Sequence, residues 1–146
     1  MTDDRLAIQD LVARYAVAAD RRDVTELVSL FATQAELIRP PALLRKGEAA
    51  ALKGREAIAD SIVVALEPLH ATYHLIGQQT VSITGDTAIG EVYCMAHHIY
   101  LRGDEYRDNV IAVRYLDTYE RDAAGWVFTR REPVVVFSED RPVRVG

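Results

Sequence analysis

The chain has 146 residues, 49% of them hydrophobic and 27% charged, a balance that suits one globular domain spanning 1–146. A net charge of −5 argues against a nucleic-acid or anionic-membrane partner, and a single cysteine, Cys94, excludes a disulfide framework and a CxxC metal site. No apolar run reaches the roughly 18 residues of a membrane span. The opening Met1-Thr-Asp-Asp-Arg5 lacks the cationic and apolar regions of a secretory signal, so a cytoplasmic location is expected.

Taken in chain order, Ile8, Leu11, Val12, Tyr15 and Ala19 recur at spacings of three and four and predict a helix over about 3–22. Asp23 starts a second helix as its cap. Glu26 stands three residues on, and Leu27, Leu30 and Phe31 form the apolar stripe. Residues 35–39 read as a short strand stopped by Pro40-Pro41, and 42–53 as a loop or short helical turn. A third helix follows from Gly54 to about Leu66, ended by Pro68. From Ala71 the texture becomes β-branched and aromatic. Runs at about 71–83, 87–101, 107–120 and 125–138 are separated by glycine-bearing turns, which predicts an antiparallel meander. Three helices before a meander give an α+β domain with the helices on one face of a curved sheet. Arg102-Gly103-Asp104 reads as one of the hairpin turns.

Four histidines are the candidates for chemistry. His70 reads as a loop residue and His74 lies inside a half-buried strand. His97 and His98 are adjacent on one strand and so face opposite sides of the sheet. The even positions of that strand include the small Val92, Cys94 and Ala96, which leave volume for a ligand and put His98 on the cavity side. The odd positions carry Tyr93, Met95 and Ile99 and read as a packing or subunit-contact surface, consistent with a homodimer or homotrimer. His70 and His74 have the i,i+4 spacing of a helical zinc pair, but on a strand they lie about 13 Å apart, so no metal is expected. Asp20 follows the apolar stripe, yet helical periodicity leaves it at the stripe's edge, where a solvated role is its ordinary fate. Tyr15 sits centrally on the stripe, and its hydroxyl needs a polar partner that a pocket could supply.

Residues 7–31, with the Gly54-Arg-Glu-Ala-Ile helix, the Tyr73-His-Leu-Ile-Gly strand, the Gly85-Asp-Thr-Ala turn and Gly125-Trp-Val-Phe, resemble the SnoaL-like branch of the nuclear transport factor 2-like superfamily. The resemblance covers essentially the whole chain and implies a cone: a strongly curved antiparallel sheet wrapped on three N-terminal helices, open to a pocket. Within the superfamily the chain is similar to the scytalone dehydratase, bile acid 7-alpha-dehydratase and lindane dehydrochlorinase group. That likeness implies an Asp–His dyad at Asp20 and His74, with Tyr15 matching the bile acid enzyme's tyrosine and His98 scytalone dehydratase's second histidine. Arg131 matches a dehydrochlorinase arginine. Val113 and Tyr115 stand at the substrate-facing positions where scytalone dehydratase has serine and asparagine, and Ala19 where it has tyrosine, which disfavours scytalone itself.

The implied activity is a cofactor-free dehydratase or related lyase. A small apolar or cyclic organic substrate would lose a C–H proton to His74 and then a β leaving group, with Tyr15 or His98 donating to the oxygen. Three readings stand beside it: an isomerase-type proton shuttle on the same residues, a non-catalytic small-molecule binding domain, and a structural subunit like the beta chains of ring-hydroxylating dioxygenases.

Overall fold

The computed structural model describes residues 3–146. Helix α1 (Asp4–Arg21) starts where the Asp3 side chain accepts the Arg5 N–H, and it ends at Arg22, whose left-handed φ of 53° turns the chain. Its buried stripe is the one the periodicity indicates, from Ile8 through Tyr15 to Ala19. In α2 (Val24–Ser29) the Asp23 side chain accepts the Glu26 N–H at 3.0 Å. The return half of the capping box is absent, because the Glu26 carboxylate pairs with Arg14 instead.

Strand β1 (Phe31–Ile38) begins at Phe31, four residues before its expected start, since the Phe31 ring packs on Phe128 rather than closing a helix. A short 3-10 turn (Pro41–Leu43) opens the segment read as a loop or short helical turn, a strand β2 (Ala51–Lys53) that the reading did not include closes it, and α3 (Arg55–Leu66) follows. The meander comprises β3 (Ala71–Thr84), β4 (Thr87–Arg102), β5 (Glu105–Asp122) and β6 (Gly125–Pro142), close to the predicted bounds. The six strands form one sheet in the order β2-β1-β6-β5-β4-β3. All neighbours are antiparallel except β1 and β6, which run parallel and make the sheet mixed. Register shifts in β3–β4, β5–β6 and β1–β6 bend the strands and curve the sheet around the helices. No described helix is long and apolar enough to cross a membrane.

Close packing at the centre of the sheet explains one glycine. A Cβ on Gly90 would lie 2.7 Å from the Thr80 carbonyl oxygen and 3.2 Å from the Tyr119 ring. The inner face fills with rings: Tyr15 meets Phe31, Phe128 and Tyr115 edge-on at centroid distances of 5.9–6.2 Å. Among them lies Arg131, expected at the substrate but 0% exposed. Its Nε and Nη2 donate to Asp117 at 2.9 and 3.2 Å, and its guanidinium lies over the rings of Tyr115 (3.7 Å), Tyr15 (4.2 Å) and Phe128 (4.5 Å). Nη1 has no hydrogen-bond partner, so ring faces are its company. Burial raises the Asp117 carboxyl, and Arg131 opposes that rise. Arg131 is thus a core residue, because its carboxylate partner is within the fold.

Breaking such a pair from one side strands the other charge. Asp117→Asn should cost about 3–5 kcal/mol of unfolding free energy. Urea denaturation checks this; a loss below about 1 kcal/mol would mean the pair contributes like a surface bridge.

Candidate active site

Three elements converge where α1 ends. The left-handed turn at Arg22 brings its side chain back over the junction: Nη1 donates to the Asp20 carbonyl (2.9 Å) and Thr72 Oγ1 (3.0 Å), and Nη2 to the Leu66 carbonyl (2.9 Å). One arginine therefore ties α1, β3 and the end of α3. Asp20 then receives three donors from β3. Thr72 Oγ1–H reaches Oδ1 at 2.9 Å, the His74 backbone N–H reaches Oδ2 at 3.1 Å, and His74 Nδ1 lies 2.6 Å from Oδ1.

These contacts decide the charge state. Burial works against the Asp20 carboxylate, but the hydrogen bonds from the His74 ring and backbone and from Thr72 outweigh it and hold the carboxyl below its usual range. An ionised carboxylate only accepts, so Nδ1 carries a proton, and in the neutral ring Nε2 of His74 is then the nitrogen with a free lone pair. The His74 side chain is 8% exposed. It borders a cavity of about 510 Å³, within the roughly 300–1,000 Å³ usual for small-molecule sites. Tyr15 and Ala19 from α1, Leu37 from β1, Ile62 and Leu66 from α3, and Pro133 from β6 give that cavity its mostly apolar wall. Burial raises the Tyr15 hydroxyl above its usual value, against the pull of Arg131, so it stays protonated as a donor.

His98 lies beside His74, ring centroids 5.9 Å apart at 82°. Its Nδ1 is 3.0 Å from the Asn109 carbonyl oxygen, an acceptor only, so the neutral ring's free Nε2 accepts and does not donate. Burial lowers its pKa, with His74 adding to the effect and the Asn109 contact opposing it. Of the two donors expected, Tyr15 and His98, the neutral His98 ring therefore has no free N–H to offer from Nε2.

The other expected substrate contacts are placed differently. Val92, Cys94 and Ala96 are buried, as are Val113 and Tyr115, and none borders the 510 Å³ cavity. The volume that small β4 residues seemed to leave is taken up by the core cluster around α1. Burial pushes the Cys94 thiol up to about 11, so it is no nucleophile at neutral pH.

Sequence reasoning missed Thr72 and Arg22, although Thr72 and His74, two apart on one strand, share a face and so were legible as a pair. It also missed Arg39, the last residue of the expected strand, and Arg45 and Glu48 in the weakly patterned segment beyond, all of which border the cavity. A second carboxylate–imidazole pair, Asp108 Oδ2 to His97 Nδ1 at 2.6 Å, belongs to the opposite face of the sheet and lies outside the cavity. His70 packs on Tyr106 and borders a different groove from His74. Among the described residues no cluster of three or more His, Cys, Asp or Glu has the geometry to hold a metal.

Comparison with known proteins places the chain. The profile of the SnoaL-like domain matches residues 1–132. A nuclear transport factor 2-like protein with a cystatin-like fold from Novosphingobium aromaticivorans is 31% identical with a TM-score of 0.69, covering 91% of this chain and 82% of that one. A provisionally named scytalone dehydratase from the same organism is 22% identical, with a TM-score of 0.77 and coverage of 99% and 94%. A hexachlorocyclohexane dehydrochlorinase from Novosphingobium barchaimii is 23% identical, with a TM-score of 0.74 and coverage of 95% and 89%. The last two likenesses establish the fold.

The depressed His98 pKa makes a stability prediction. The unfolded ring takes a proton near pH 6.5, whereas the folded ring does so only at lower pH, so the unfolded chain binds more protons in that window. Its contribution is full above about pH 6.5 and is lost as the pH falls toward the folded value. His98→Gln should therefore flatten the fall in melting temperature between about pH 6.5 and 5. An unchanged slope would assign that fall to other groups.

Proposed function

The chain belongs to the SnoaL-like domain family, and from that premise we propose that it is a cofactor-free lyase of the dehydratase type. Its substrate is a small cyclic organic molecule seated in the 510 Å³ cavity. The observation that carries this reading is the 2.6 Å contact of Asp20 with His74 Nδ1 at the wall of an apolar cavity. It leaves one imidazole nitrogen free and fixes the ring that bears it.

The reaction follows from those positions. His74 Nε2 takes a proton from a carbon alpha to a carbonyl, and Asp20 stays ionised and stabilises the imidazolium that forms. Tyr15 donates a hydrogen bond to the carbonyl oxygen as it gains enolate character. The electron pair of the broken C–H bond then forms the new double bond as a β-hydroxyl departs. The imidazolium returns its proton to that oxygen, so water leaves and His74 is neutral again. His98 Nε2 accepts a hydrogen bond from a substrate hydroxyl. Each positioned acid or base is worth about 10²–10⁴-fold in rate. No step calls for a metal or an organic cofactor.

A second copy of the chain covers the outer face of the sheet, where Leu75, Tyr93 and Phe137 are exposed around an apolar groove that includes Met95. Light scattering should give a dimer or trimer mass, lowered by Tyr93→Lys. A monomeric wild type would remove this part of the proposal.

The chemistry is tested with a panel of cyclic β-hydroxy ketones in D₂O, followed by NMR for exchange at the alpha carbon and for elimination. Wild type should turn over at least one member, and His74→Ala and Asp20→Asn should each slow it by about 10²-fold or more while keeping the wild-type circular dichroism spectrum. A chelator should leave the rate unchanged. Wild-type rates in either variant, or a chelator loss restored by zinc, would overturn the dyad mechanism.

A further inference from the structure

The cavity is apolar along its helical and sheet walls, but its remaining border is charged. Arg39, at the end of β1, and Arg45 and Glu48, in the loop beyond it, all line the same space as His74. The bonds within this group do not balance. Glu48 accepts the Arg45 backbone N–H through Oε1 at 2.7 Å and meets Arg39 Nη1 through Oε2 at 3.3 Å. Arg39 Nη2 is spent on the Ala49 carbonyl at 2.7 Å, and its Nε is shut off from water with no acceptor. Among the described residues the Arg45 guanidinium has no ion-pair partner, and Glu48 is engaged by the backbone of Arg45, not by its side chain. Two guanidinium groups thus face one carboxylate, leaving one uncompensated positive charge at the border of a cavity that ends in a general base.

We propose that this border is an anion subsite and that the substrate carries a carboxylate, held by Arg45 with Arg39 behind it, while its ring lies against Leu37, Ile62 and Pro133. The assignment rests on the cavity being the substrate site, as inferred above. A carboxylate fits better than a phosphate on two counts. A planar fork of N–H donors matches a planar pair of oxygens, and a single excess cation balances a monoanion but leaves a dianion facing Glu48. Binding of this kind also fixes orientation: an anchor at the border leaves the far end of a ring system to meet His74 Nε2.

The test reads binding, not turnover, by isothermal titration with 1-naphthoate, methyl 1-naphthoate and 1-naphthyl phosphate. Wild type should bind the naphthoate at least about tenfold more tightly than the ester, with an affinity that falls as salt rises. Arg45→Gln should remove that preference without changing ester affinity, and Arg45→Lys should restore part of it. Equal binding of acid and ester, tighter binding of the phosphate, no binding of the naphthoate at millimolar concentration, or an unaltered preference in Arg45→Gln would each overturn the subsite. His74→Ala should still prefer naphthoate. If that variant keeps both this preference and wild-type turnover, the dyad mechanism fails and the subsite stands.

Discussion

The site depends on one short contact made at long sequence range: the Asp20 carboxylate against the ring and backbone of His74. It is a constraint on the fold as much as on the chemistry. Because the carboxylate takes both Nδ1–H and the N–H of the same residue, it fixes the ring's tautomer and the position of β3 together. A one-residue slip of β3 would put Thr72 and His74 on the outer face and leave the half-buried Asp20 without those side-chain donors. Arg22 guards against that slip, since its guanidinium bonds Thr72, the Asp20 carbonyl and the end of α3 at once. The left-handed backbone at Arg22 is what turns that side chain inward.

Much of this architecture is legible in the residues, and the gaps have physical causes. The α1 stripe, the Asp23 cap and the four long strands are local patterns, and local patterns show in a sequence. Phe31 was legible only as the next apolar residue of a helix stripe; its place in β1 comes from Phe128, nearly a hundred positions away. The parallel pairing of β1 with β6 leaves no periodic trace at all. Asp20 marks the same limit in the site. Helical periodicity puts it at the stripe's edge, and only the resemblance to known dehydratases singled it out. What seats it between helix and sheet is β3, an element that α1 does not contact in sequence.

Arg131 shows how resemblance can mislead in the interior. Its match to a dehydrochlorinase arginine implied a substrate contact, and within this fold its partner is Asp117. The pair occupies the aromatic core, with the Arg131 guanidinium over the Tyr15 ring. Of the arginines that do border the cavity, Arg39 ends the segment read as a strand and Arg45 belongs to one without periodicity, where the sequence says least. Rigid elements carry His74, and irregular chain carries the charged border. That division is common where a scaffold holds reactive groups and loops select what reaches them.

The chain holds two carboxylate–imidazole pairs of nearly the same construction, and their contrast shows what makes one a candidate for catalysis. Asp20 takes His74 Nδ1 and a strand N–H; Asp108 takes His97 Nδ1 at the same 2.6 Å and the N–H of His98. Both leave an imidazole Nε2 unclaimed by the carboxylate. Hydrogen bonding therefore does not separate them, and surroundings must. His74 is almost wholly enclosed beside a mostly apolar cavity that Tyr15, kept protonated by burial, also borders. His97 lies on the outer face, three times as exposed, beside Tyr73 in a more open groove of about 540 Å³. Beside an enclosed imidazole a proton transfer meets less competition from solvent than beside an exposed one, and a developing enolate is stabilised more by one fixed donor. On the function proposed above, it is the closer enclosure of the void beside His74 that sets the Asp20 pair apart. That void exists because the α1 and α3 faces, the bend of the sheet and the segment after β1 do not close upon one another.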